Sequence, residues 1–152
     1  MKTAADIVRK NYVSVQADEP VAHLIGKFLT LHEREACVFD NRKFMGMFSH
    51  RAFLKSKVDV KTMKVKSVTV PVPHLKKGHD LVEIAALMFY SNAAMLPVIN
   101  GEFLGVVHVF DVFKSITDIP EVKVKDVRHP TAITIGEDEK VNKALELMSE
   151  LY

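Results

Sequence analysis

Met95–Lys114 reads MLPVINGEFLGVVHVFDVFK. Two apolar runs flank Asn100-Gly101, the dipeptide that best tolerates the left-handed backbone of a two-residue type I′ turn, so the stretch predicts a β-hairpin. After the second run, Gly105-Val106-Val107-His108 leads into Val109-Phe110-Asp111-Val112-Phe113, where the apolar spacing changes from strand-like to helical. A strand therefore runs straight into a helix N-terminus. The junction presents free backbone N–H groups and the positive end of the helix dipole, with Asp111 in the first turn.

Working outward, the same pattern stands 59 residues earlier, where Ala36–Phe39 and Lys43–Phe48 flank Asp40-Asn41-Arg42 and Gly46 occupies the place of Gly105. Helices are expected after both hairpins, at Ser49–Lys57 and His108–Thr117. Ahead of each hairpin lies a helical stripe. Val21, Leu24, Ile25, Phe28 and Leu29 fall at i, i+3, i+4, i+7 and i+8, entered through Asp18-Glu19-Pro20. Leu81, Ile84, Ala85, Met88 and Phe89 repeat that spacing, and Val141, Ala144, Leu145 and Met148 repeat it again. Short extended segments precede the stripes at Val13-Ser14-Val15, His74-Leu75 and Ile133-Thr134-Ile135. Each full unit reads strand, helix, strand, strand, helix. Two are complete, at about 1–59 and 60–118, and a third starts at about 119 and stops at Tyr152 after its first helix. The third reads as a repeat cut short, because a strand–helix fragment forms no sheet of its own, or else as a C-terminal cap packed on the second unit.

With 48% apolar residues the 152-residue chain is an ordered globular protein. Lys and Arg total 21 against 19 Asp and Glu, and a net charge of +2 gives no electrostatic footprint for nucleic acid or a membrane surface. The lysines at 55, 57, 61, 64 and 66 read as a solvated connector. A single cysteine, Cys37, permits no internal disulfide and suits the reducing cytoplasm. No apolar run reaches the roughly 18 residues that span a bilayer. The seven histidines show no i, i+4 pairing and no adjoining cysteines, so no metal site is expected. Nor does the spacing assemble a nucleophile with a base, a Gly-rich phosphate loop or a Gly-x-Ser-x-Gly elbow, and no enzyme activity or cofactor is expected.

A 60-residue unit with Leu96-Pro97-Val98 before the hairpin turn and Gly105-x-x-x-x-x-Asp111 after it resembles the cystathionine β-synthase (CBS) domain family, over essentially the whole chain. The resemblance implies an α+β fold of tandem CBS domains, a Bateman module, related by a pseudo-twofold axis with two clefts between them, here followed by a partial third repeat. Such clefts commonly bind AMP, ADP, ATP or S-adenosylmethionine. The family signature is Gly, two apolar residues, Ser or Thr, two residues, then an Asp that accepts hydrogen bonds from ribose hydroxyls. Each unit keeps half of it. The second retains Asp111 but has His108 at the hydroxyl position, while the first retains Ser49 but has Ala52 in place of the Asp.

By the same resemblance, Val8, Val13, Arg34, Glu35, Val106 and His108 wall the Asp111 cleft, and Met47, Ser49, Pro73, Ala93 and Ala94 wall the other. The residues themselves leave alternatives. Asp111 either meets ribose or answers the helix dipole, His108 either meets phosphate or sits neutral at the rim, Arg34 either reaches phosphate or pairs with its neighbours, and Ser49 either binds ligand or caps a helix. The implied function is a non-enzymatic regulatory module, a homodimer through its helices, that rearranges on binding an adenosine-containing ligand. The alternative is a ligand-free interaction scaffold.

Overall fold

Apolar stripes become helices and alternating runs become hairpins in the computed structural model, which describes residues 2–49, 53, 59–117, 121–128 and 131–150. Two units separate, Met1–Thr117 and Asp118–Tyr152. In the first, a single helical turn α1 (Ala4–Ile7) precedes β1 (Ser14–Gln16), α2 (Val21–Leu31) and the hairpin β2 (Glu35–Asp40) and β3 (Lys43–Ser49). A 3₁₀ turn at Val65–Val68 then leads to α3 (Leu81–Ser91), the hairpin β4 (Met95–Asn100) and β5 (Glu102–His108), and α4 (Val109–Ser115). Of the helix expected after the first hairpin, Phe53 is described and helical; Ala52 and the residues at 50–51 and 54–58 lie outside the described set.

Local chemistry explains the helix ends. The Asp80 carboxylate accepts from the N–H groups of Val82 and Glu83, both at 2.9 Å, while Glu83 reaches back to the Asp80 N–H at 2.9 Å, a complete capping box. His32 and Asn92 end α2 and α3 in the left-handed conformation. The buried stripe is narrower than the sequence spacing suggests. Val21, Leu24 and Phe28 are buried on α2 and Ile84 and Met88 on α3, whereas Leu29 and Phe89 are 75% and 79% exposed. At i+8 a side chain has drifted past the edge of a face that only a two- or three-stranded sheet covers.

β1 runs parallel to β2, and β2 pairs antiparallel with β3 with Cys37 opposite Met47; β4 and β5 pair with Pro97 opposite Val106. Both hairpins carry a register shift at the same place, Val38/Phe39 and Val98/Ile99. The shift corrects the expected turn. Asn100 pairs with Glu102, and of the two residues that a type I′ turn needs left-handed only Gly101 (φ 79°) is so. Opposing Ile99 to Phe103 lengthens the loop to three residues, for which one left-handed glycine suffices. The counterpart of β1 in the second repeat shrinks to one parallel bridge, Leu75 to Val98, because Pro71 and Pro73 remove the donors ahead of it.

The two repeats exchange their leading segments. Ala4 of α1 is buried in the second repeat's core with Leu75, Ile84, Leu96, Val98 and Val107, and Val65 of the 3₁₀ turn is buried in the first repeat's core with Val15, Leu24, Val38 and Phe48. Antiparallel bridges fix both exchanges: Arg9 pairs with Val106 and Val70 with Met47, while Thr3 pairs with Asp80 and Lys64 with Pro20. This reciprocity is the pseudo-twofold relation. On it lies a third apolar cluster, Cys37, Met47, Met95 and Val106, edged by Tyr12, Phe39, Phe44 and Phe103. The Phe103 ring lies 5.1–5.3 Å from those of Phe39, Phe44 and Tyr12, two contacts edge-to-face and one stacked.

In the second unit, α5 (Val124–Val127) is one turn and α6 (Val141–Glu150) carries the third stripe as expected. Ile133-Thr134-Ile135 is irregular rather than a strand, with no ladder partner among the described residues. Extended backbone needs a neighbouring strand for its hydrogen bonds, and the described residues of the second unit include no hairpin to supply one.

The crossing segments approach so closely that Gly46 (φ 154°) and Gly105 (φ 146°) admit no side chain: a Cβ would collide with the carbonyl oxygens of Val70 and Arg9. Gly46→Ala and Gly105→Ala should each lower urea-unfolding stability by about 3 kcal/mol through strain and overpacking. Gly26→Ala, in an exposed α2 position with nothing near its Cβ, should raise it by about 1 kcal/mol.

Candidate functional site

The exchange brings Arg9 to the end of β5. Its backbone N–H donates to Val106 O at 2.7 Å and its carbonyl accepts from Val106 N at 3.0 Å, two residues before the strand becomes α4. There His108 is the N-cap: its Nδ1 accepts from the Phe110 N–H at 3.2 Å, and its own N–H donates to Asp111 Oδ2 at 2.9 Å. Asp111 therefore serves the cap, one of the two alternatives its position allowed. It also meets a cation. Arg9 Nε lies 2.8 Å from Oδ1 and 2.6 Å from Oδ2, and the Asp111 side chain is only 15% exposed.

His108 is neutral near pH 7. Burial holds its pKa below the usual imidazole value, the Arg9 charge lowers it further, and Asp111 and Glu33 oppose both. Its ring stacks on Phe110 at 5.1 Å, and with Nδ1 accepting the cap bond the proton sits on Nε2.

Glu35 opens β2, opposite Ser49, and accepts a hydrogen bond from the Ala94 N–H of the second repeat. Its Oε2 is buried with no hydrogen-bond partner among the described residues. Desolvation pushes this carboxyl up to about 7 against that bond, and Glu33 adds to the rise. Glu35, assigned by resemblance to the Asp111 cleft, thus touches a residue assigned to the other. Cys37, one pleat further on the same face, is pushed up to about 12 by burial and by Glu35, so it is a thiol and packs against Met47 Sδ at 3.7 Å.

The other sequence-selected residues divide by burial. Val13 belongs to the first repeat's core and Met47 and Val106 to the central cluster; Val8 packs on the second core and beside Gly105. Ala93 is half-buried and donates to Met88 O at 3.1 Å, and the exposed Ala94 accepts from Val109 N at 2.8 Å, joining β4 to α4. Arg34 is exposed beside Glu35; Pro73 and Ser49 are half-buried. An open groove of about 460 Å³ lined by Val8, Lys10, Tyr12, Lys77, Glu102 and Phe103, among others, includes none of Arg9, His108, Asp111 or Glu35.

Sequence reasoning missed Arg9. Its contact spans 102 positions and depends on the segment exchange, so no local spacing carries it; the only hint was the basic pair Arg9-Lys10 beside Val8. The exchange also makes the two bridges unequal. Where Arg9 bridges to Val106, the reciprocal bridge to Met47 is made by Val70, and the position matching Asp111, Ala52, lies outside the described residues.

The CBS domain family profile matches residues 4–59 and 65–118. The chain belongs to the CBS domain family. Solved structures that share the fold include the following three. One is the CBS domain NE2398, at 22% identity and a TM-score of 0.69, covering 75% of this chain and 97% of that one. The CBS domain protein TA0289 of Thermoplasma acidophilum is 19% identical, with a TM-score of 0.69 over 76% of this chain and 69% of that one. CBSX2 in complex with AMP is 21% identical, with a TM-score of 0.65 over 76% and 96%. No curated protein sequence is significantly similar. Among the described residues no helix of this CBS protein is long and apolar enough to cross a membrane.

The Glu35 carboxyl gives a pH signature. Below its ordinary value near 4.5 it is protonated folded and unfolded; between there and about 7 the unfolded chain loses the proton that the folded chain keeps. Stability therefore falls across that window and is level above it, a loss on the order of 3 kcal/mol. Thermal midpoints from pH 4.5 to 8 should drop for the wild type by several degrees more than for Glu35→Gln.

Proposed function

We propose that this CBS protein is a non-enzymatic regulatory module that binds an adenosine-containing ligand, AMP, ADP, ATP or S-adenosylmethionine, in the Asp111 cleft and signals by a change in how its repeats are held. One observation carries the reading. Both repeats contribute polar groups to one place: Arg9, Glu33 and Glu35 from the first, His108 and Asp111 from the second. The likeness in fold to CBSX2, solved with AMP, supports it. Asp111 is the group that accepts from vicinal ribose hydroxyls, and a ligand spanning it and the Glu35–Ala94 contact ties the repeats together. Such a ligand shifts their arrangement only by the difference in its affinity for the two states. Domain limits near 59 and 118, residues 119–152 as the opening of a third repeat, and a cytoplasmic setting belong to the same proposal.

Exposed aromatic side chains favour a second reading beside it. Phe89 and Tyr90 of α3 and Phe110 and Phe113 of α4 are 60–85% exposed, on helices that pack together. Pairing of two copies through these faces gives the homodimer or scaffold reading its surface. Light scattering should report a dimer that Phe89→Asp with Phe113→Asp returns to monomer; a wild type that is monomeric with and without AMP removes this reading.

Thermal unfolding against AMP, ADP, ATP, S-adenosylmethionine and GMP tests the ligand reading. At about a hundred times its dissociation constant one ligand adds about 2.7 kcal/mol, several degrees in midpoint. The shift should vanish in Asp111→Ala. No shift with any adenosine compound overturns the ligand reading.

A further inference from the structure

The carboxylate that a ribose would need is already occupied. Arg9 Nε contacts both Asp111 oxygens, and His108 N takes a further position on Oδ2, so a diol cannot reach Asp111 with two hydrogen bonds while Arg9 stays. The His108 bond belongs to the helix cap and is kept. The Arg9 contact is separable from the fold: its backbone is held by the two hydrogen bonds to Val106, and its side chain, 38% exposed, is free to swing from the carboxylate without breaking them. Among the described residues the carboxylate left for a released guanidinium is Glu33, which is exposed and weakened by solvent, since the half-buried Glu35 keeps its proton up to about 7 and the neutral His108 offers no charge.

We infer that Arg9 stands in for the ligand on Asp111 and that binding exchanges it from the carboxylate to a ligand phosphate, which makes the cleft selective for phosphorylated nucleosides. The inference rests on the adenosine-ligand reading and narrows it. A 5′-phosphorylated nucleoside supplies both halves of the exchange: its two hydroxyls replace Nε on Asp111, and its phosphate takes the guanidinium in a charge-assisted, bidentate pair. Adenosine supplies only the first half and leaves Arg9 with no anion but the solvent-exposed Glu33. S-adenosylmethionine sets a sulfonium cation where the phosphate would lie, beside the released guanidinium. Both are disfavoured by the same side chain. The reciprocal position, Val70, offers no such exchange, so the preference belongs to the Asp111 cleft alone.

Isothermal titration of the whole chain with AMP, adenosine and S-adenosylmethionine tests this on the wild type, Arg9→Gln, Arg9→Lys and Asp111→Asn, with thermal midpoints as the check on folding. The wild type should prefer AMP to adenosine by about ten- to a hundredfold, the worth of one charge-assisted contact. In Arg9→Gln adenosine and S-adenosylmethionine should bind more tightly than to the wild type and AMP more weakly, so that the preference falls towards unity; Arg9→Lys should keep part of it. AMP binding that Asp111→Asn abolishes, with an AMP-to-adenosine ratio unchanged in Arg9→Gln, overturns the exchange and leaves the ligand reading standing. Adenosine binding to Arg9→Gln with AMP silent on the wild type also overturns it. No binding of any of the three, nor of ADP or ATP, to the wild type or Arg9→Gln overturns both.

Discussion

Two pairs of backbone hydrogen bonds hold this protein in its shape: Arg9 with Val106 and Val70 with Met47. Each lays the leading segment of one repeat along the outer hairpin strand of the other, and each passes over a glycine whose missing Cβ leaves room for a carbonyl oxygen. Neither sheet is complete alone. The first has three strands and the second a single hairpin, and in both the exposed edge of the last strand is satisfied by chain from the neighbouring repeat. Ala4 and Val65 then fill cores that belong, by sequence, to the other repeat. The repeats are therefore one folding unit, and a ligand that alters the crossing acts on both.

The same crossing sets the chemistry. An exact repeat would give two like clefts. Here the side chain at one bridge is a guanidinium and at the other an isopropyl group, so a polar cluster of Arg9, Asp111 and His108 is set against Val70 at the matching bridge. Between them the Glu35 carboxyl crosses to Ala94 with one oxygen buried and, among the described residues, unpartnered, and desolvation makes it hold its proton to about 7. Cost at a polar group that could be cheaply replaced by glutamine is a feature of sites more than of cores.

Much of this was legible in the sequence because it is local. The 60-residue repeat, the hairpins around Gly101 and Asn41, the helices at Val21 and Leu81 and the strand-to-helix junction at His108 follow from spacing and turn chemistry. What failed depends on distant partners. Leu29 and Phe89 obey helical spacing yet face outward, because the sheet beneath is too narrow to cover them. The type I′ turn gave way to a three-residue loop once the bulge at Val98/Ile99 moved the register. Asp111 was read correctly as a first-turn carboxylate, but its second partner, Arg9, lies 102 residues away in a segment whose destination no periodicity encodes.

On the proposed reading, one cleft built by both repeats receives the ligand at Asp111. Proton–nitrogen NMR spectra that include the arginine Nε–H resonances, followed during titration with AMP, address it most directly. The Arg9 Nε–H signal and the amides of His108, Asp111, Glu35 and Ala94 should move together along one saturating curve. Movement confined to the exposed faces around Leu29 and Phe89, or an Arg9 Nε–H signal that stays in place while AMP saturates the protein, would contradict it.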